Sequence, residues 1–187
     1  MKLIVAIFLV SVFVLTSCDG KERTRYTPEE KLKQSELPDS FFLQEKYFPE
    51  EYTEVVTDTI IDNKINISIK SYTDMNNNVL NEFKIDTIHY KYFYREIISD
   101  LVITLDGKTI FNETIDKSNF KDKEDKLFWE EAIMLGLYLD DTQTTNKHLY
   151  FNVSFCMIES ETCKDYKLII DNKGELVIKE LEPEEIH

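Results

Sequence analysis

A chain of 187 residues, 42% hydrophobic and 12% aromatic, carries enough apolar material to bury one core and is not expected to be disordered. Its formal charge of −14, from 36 acidic against 22 basic residues, repels nucleic acid and anionic lipid headgroups. Four glycines supply no phosphate-cradling loop, and no G-x-S-x-G motif occurs.

Met1-Lys2 is followed by the uncharged run LIVAIFLVSVFVL, Leu3 to Leu15. A helix needs about 20 apolar residues to span a bilayer, so this run reads as a secretory signal. Leu15-Thr16-Ser17-Cys18 resembles the lipobox of bacterial lipoproteins. The resemblance implies cleavage before Cys18, a diacylglycerol on its sulfur and an acyl group on the new amino terminus. Two or three such chains hold a protein stably on a membrane, where one does not. Residues 1–17 are therefore expected to be a lipoprotein signal peptide, 18–40 the lipidated cysteine and a flexible tether, and 41–187 a single β-rich globular domain. Asp19 resembles an inner-membrane retention signal of enteric bacteria, while Asp-Gly-Lys-Glu-Arg-Thr-Arg is too mixed in sign for a clear surface-export signal. The expected location is the bacterial cell envelope, on the outer membrane facing the periplasm, with the inner membrane and the cell surface as alternatives.

Within the tether, Thr27-Pro28-Glu29-Glu30 has the N-cap, N1 proline and N3 glutamate of a helix start. From Tyr52 the pattern becomes β. Ile65, Ile67 and Ile69 alternate with polar residues behind the turn Asp62-Asn63-Lys64, which predicts a hairpin. Leu101, Ile103 and Leu105 lead into Asp106-Gly107, and Thr109 to Ile115 return. Another hairpin crosses Asp171-Asn172-Lys173-Gly174, between Tyr166–Ile170 and Glu175–Leu181. IIDNKINISIK at Ile60 and IIDNKGELVIK at Ile169 echo one another, read as two hairpins meeting the same demand for strand and turn residues.

One helix is expected between Asp122 and about Gly136. Phe128, Ala132 and Leu135 fall on one face, joined by Trp129 and Ile133, with Lys126, Glu130 and Glu131 opposite. The fold class is thus α+β, mainly antiparallel β: about eight strands in hairpins, forming a sandwich or partly open barrel, with one packed amphipathic helix.

With Cys18 assigned to the anchor, Cys156 and Cys163 remain, flanking the tip of a fourth hairpin. If Glu159-Ser160 is a two-residue turn, the two face each other directly. Opposed Cα atoms then lie about 4.5 Å apart, near the short limit for a disulfide. An oxidising envelope favours that bond over metal ligation, for which two thiolates without a nearby histidine are poorly suited. Asp74-Met75-Asn76-Asn77-Asn78 begins like a calcium loop, but Val79 and Ile85 stand where glycine and glutamate are required, so it reads as a polar turn between strands. In a strand, Tyr90, Tyr92 and Tyr94 share one face and His89, Lys91, Phe93 and Arg95 the other. The tyrosines either line the core or form an exposed ligand surface that stacks on sugar or aromatic rings. Asp58-Thr59-Ile60 and Asp86-Thr87-Ile88 resemble a short O-glycosylation acceptor, but both fall in predicted strands and read as chance. Neither His89 nor His148 has a local catalytic partner. No metal or cofactor is expected, and no catalytic residue is assigned.

The lipobox, TDTIIDNKINISIK, the tyrosine-rich strand, DGKTIFNETIDKSNF, FWEEAI and YKLIIDNKGE together resemble an uncharacterised family of Bacteroidetes lipoproteins, over most of residues 52 to 181. The resemblance implies a cell-envelope setting and no functional residue. The functional expectation is a non-enzymatic, lipid-anchored binding module for a partner protein or small ligand. The alternatives are a structural accessory of an outer-membrane complex and an enzyme on envelope glycans. The expected partners are a membrane, through the anchor, and an envelope protein; nucleic acid is not among them.

Overall fold

The computed structural model describes residues 27, 30, 31, 42–120, 125–160 and 162–182. These divide into a small unit, Met1–Gln44 with Lys84–His89, and a large one, Glu45–Phe83 with Tyr90–His187. The expected signal peptide, Cys18 and most of the expected tether lie outside the described residues. In the small unit the capping box forms: the Thr27 amide donates to Glu30 Oε2 at 2.8 Å and the Glu30 amide to Thr27 Oγ1 at 3.3 Å. Asp86-Thr87 of that unit is a turn, with Asp86 at φ 53°, rather than the strand expected there.

Among the described residues nine strands form two antiparallel sheets, which are not closed into a barrel. The first holds β1 (Leu43–Phe48), β2 (Glu54–Ile61), β3 (Ile65–Ile85), β4 (Ile88–Leu105) and β5 (Lys108–Ile115). Its order is β1-β4-β3-β2, with β5 paired to Ser99–Leu105 of β4. The second is a meander of β6 (Ala132–Leu139), β7 (His148–Met157), β8 (Cys163–Asp171) and β9 (Leu176–Leu181).

Alternation decides which residues face inward. Ile65, Ile67 and Ile69 are buried while Asn66, Ser68 and Lys70 between them are more exposed. Leu101 and Ile103 of β4 join them, as do Phe111 and Ile115 of β5. From the second sheet come Phe151, Val153, Phe155, Leu168 and Ile170, so both sheets feed one apolar cluster. At roughly 25 cal/mol per Å² of apolar area, this burial is the main stabilising force. The buried polar residues Ser99 and Thr73 are satisfied in place: Ser99 bonds Ser71 at 2.7 Å and Thr73 bonds Thr53 at 2.7 Å.

The turns after β2, β4 and β8 are the predicted ones, with different backbones under similar sequences. Asp106 and Gly107 both take positive φ, 49° and 79°, as a two-residue hairpin with right-handed twist requires. In the IDNK turn after β2, Asp62 and Asn63 are left-handed, at φ 50° and 54°. After β8 the same letters leave that conformation to Gly174, at φ 85°. There the Asp171 carboxylate accepts from the Glu175 amide at 2.9 Å and the Lys173 amide at 2.8 Å. Those bonds favour the charged form and hold its pKa below the usual carboxylate value. The IIDNK echo therefore reflects shared local needs rather than repeated geometry.

The expected helix forms in its first part and gives way to a strand in its second. Among the described residues of that span α1 (Lys126–Glu131) is helical, started by Asp125, whose carboxylate accepts from the Phe128 amide at 3.3 Å. At Ala132 the backbone becomes extended and β6 begins. A bulge between Met134 and Gly136 then shifts the register by one residue. Met134 and Leu137 are both buried as a result, whereas Leu135 is 47% exposed. Residues three apart thus face inward without a helix. Asp74 to Asn78 likewise lie within β3 rather than in a turn between strands.

Candidate functional site

Ring contacts confirm the alternation along β4. Phe48 of β1 meets Tyr92 and Tyr94, each at 5.2 Å between ring centres, and Phe83 of β3 meets Tyr90 and Tyr92, each at 5.1 Å. On the opposite side Tyr47 stacks on Phe93 at 4.7 Å, and the Arg95 guanidinium lies over Tyr47 at 4.7 Å. Tyr90, Tyr92 and Tyr94 are half-buried and belong to no part of the apolar core. Core burial on β4 begins only at Ser99. The first half of β4, with its neighbours on β1 and β3, therefore presents five partly open aromatic rings on one face. Their mutual contacts restrict rotation, which lowers the entropy lost when a ligand settles on them.

Cys156 and Cys163 are register partners across β7 and β8, with their sulfurs at disulfide distance, 2.08 Å. The pair closes the hairpin end. His148 is exposed at the start of β7, with its ring 6.5 Å from Tyr150. Asp58, Thr59 and Ile60 lie in β2.

A second feature joins residues that sequence reading kept apart. A polar cleft of about 380 Å³ is lined by Asp74, Asn77, Glu96, Asp116, Lys117, Trp129 and Glu130, among others. They come from β3, β4, the segment after β5 and α1. Lys117 ion-pairs with Glu96 at 3.0 Å and also donates to the Ala132 carbonyl. Asp74 Oδ2 accepts from Asn77 Nδ2 at 2.6 Å and Oδ1 from the Asn76 amide at 2.9 Å. These bonds, that from the Asn77 side chain foremost, keep its pKa below the ordinary value and the group ionised. Among the described residues no group of three or more His, Cys, Asp or Glu is placed to hold a metal ion. No motif spacing could have found this cleft, because its members meet only through the fold.

The architecture defines a mainly antiparallel β protein of two sheets with a single short helix among its described residues, an aromatic face and a polar cleft. Residues 75–178, more than half of the chain, match the family described as domain of unknown function DUF4738, and the chain belongs to that family. The match runs from β3 into β9 and takes in the tyrosines, the disulfide hairpin and most of the cleft. No curated protein matches the chain.

Proposed function

We propose that this is a lipid-anchored protein of the bacterial cell envelope that acts as a non-enzymatic binding module, with Tyr90, Tyr92 and Tyr94 at its ligand surface. The observation that carries the reading is the set of aromatic rings held outside the core on one face. Rings cost free energy when left half in water, and a strand face that needs only solubility is better served by charged residues. The two sheets are read as a sandwich, since both feed one apolar cluster. Cys18 supplies the anchor, and the acidic net charge keeps the domain clear of anionic headgroups.

A second reading, an enzyme on envelope glycans, draws on one feature: four carboxylates, of Asp74, Glu96, Asp116 and Glu130, line one cleft.

The anchor is tested with Cys18→Ala in the source bacterium. The variant is expected to lose incorporation of labelled palmitate and to leave the membrane fraction. Label retained on it would contradict the anchoring. For the surface, a photo-reactive phenylalanine at Tyr92 of the acylated chain is expected to give one discrete adduct in membranes.

A further inference from the structure

Among the strands with a free edge, one lacks the usual protection. β2 stands at the end of its sheet and pairs, among the described residues, with β3 alone. An open edge presents a row of unpaired N–H and C=O groups, which lysine, proline or a bulge ordinarily guards. β1 carries Lys46 and runs into Pro49, and β5 opens on Lys108. β6 is bulged between Met134 and Gly136, and β9 carries Lys179. β2 has no lysine, arginine or proline, and its register with β3 is unbroken from Glu54 to Ile61. Val55, Val56 and Ile60 on it are each more than half exposed. From this we propose that β2 is a docking edge for an extended, basic segment of a partner protein, which adds to the sheet as a further strand. The site is separate from the tyrosine face of β4 and does not rest on that reading.

The phase of the ladder shows which backbone groups are free. The Thr73 amide donates to the Thr53 carbonyl at 3.0 Å, one step beyond the Glu54–Tyr72 pair. Hydrogen-bonded pairs alternate along antiparallel strands, so Val55, Thr57 and Thr59 also turn their N–H and C=O toward β3. Val56, Asp58 and Ile60 therefore turn theirs to the open edge. Val55 and Thr57, opposite Ser71 and Ile69, lie on the face that lines a groove of about 200 Å³. Ile97, Leu135, Leu137 and Tyr138 line it as well. A strand laid on β2 sets alternate side chains over this apolar groove and the rest on the outer face.

Charge selects the occupant. Glu54 of β2 is held by Lys70 at 2.9 Å, while Asp58 has no ion pair among the described residues. Glu50, Glu51 and Asp62 flank the strand. A lysine or arginine opposite Asp58 pairs with its carboxylate and lays its aliphatic stem on Val56 or Ile60. A second copy fits poorly. Two-fold antiparallel pairing through the middle of β2 brings Asp58 opposite or diagonal to a carboxylate of the copy, and each chain carries a charge of −14.

The full chain is titrated, by fluorescence anisotropy, with a labelled eight-residue peptide that alternates valine and lysine. Two contrast peptides accompany it: one with glutamate for each lysine, and one that keeps the lysines but has proline for the two central valines. The expected result is saturable binding of the first peptide, with both contrasts weaker by about tenfold or more. The proline peptide keeps the charge, so it measures plain attraction to the acidic chain without an added strand. Val56→Pro removes an N–H that faces the open edge and leaves the β2–β3 bonds in place. It is expected to keep the parent's circular dichroism and to weaken the valine–lysine peptide about tenfold or more. Asp58→Lys is expected to cut the preference for the lysine over the glutamate peptide about tenfold. No saturable response, equal affinity for either contrast peptide, unchanged affinity in folded Val56→Pro or an unchanged preference in Asp58→Lys overturns the proposal. So does a dimer of the full chain that Val56→Pro dissociates, because the edge then belongs to a second copy.

Discussion

Phe155→Ala is expected to remove about 3–5 kcal/mol of folding stability, measured by urea unfolding of the domain. Phe155 is fully buried, and its ring meets Phe120 at 4.9 Å, Trp129 at 5.2 Å and Tyr166 at 6.0 Å. Those neighbours come from the segment after β5, from α1 and from β8. Each is held by its own backbone bonds, so the space left by the ring closes only in part. Val177→Ala is the control. Val177 is 51% exposed on β9, and its truncation should fall within about 0.5 kcal/mol of the parent. A loss below roughly 1.5 kcal/mol for Phe155→Ala would mean that this aromatic cluster does not organise the core.

Gly174→Ala is the second large effect, and it isolates a backbone contact. At φ 85° any other L-residue is strained by about 1–2 kcal/mol. A Cβ at this position would also stand 2.0 Å from the Ile110 carbonyl oxygen. The obstacle is backbone, so no rotamer relieves it, and either the β8–β9 turn or β5 must move. Gly107 provides the comparison: its φ is 79°, but a Cβ there meets nothing within 4 Å. Gly107→Ala should therefore show the strain alone, and Gly174→Ala a clearly larger loss in the same unfolding assay. Equal losses would show that the turn moves away from Ile110 at no cost.

Much of the sheet structure was legible because local chemistry and burial agree in it. Ile65 to Ile69 alternate cleanly, Asp106-Gly107 is made for a left-handed turn, and Cys156 opposes Cys163 where the hairpin places them. The helix expected over residues 122–136 holds for Lys126–Glu131 and fails from Ala132 onward for a physical reason. A bulge spaces the buried Met134 and Leu137 three apart, which imitates a helical period, and a short true helix just before it reinforces the error. Asp74 to Asn78 carry turn-forming side chains, but Asp74 accepts from Asn76 and Asn77 inside a strand that continues. Alternation also placed the three tyrosines on one face. Whether that face met the core depended on how far the second sheet's residues reach along β4, which no local pattern records. The cleft was illegible altogether, since Asp74, Glu96, Lys117 and Trp129 become neighbours only through tertiary packing.

The aromatic face of β1, β3 and β4 is the proposed binding surface. The most direct measurement is crosslinking in native membranes from Tyr92, compared with crosslinking from Val177 on β9. Binding at the tyrosine face predicts a discrete adduct from Tyr92 that is absent from Val177. No adduct from Tyr92, or the same adducts in equal yield from both positions, would contradict it.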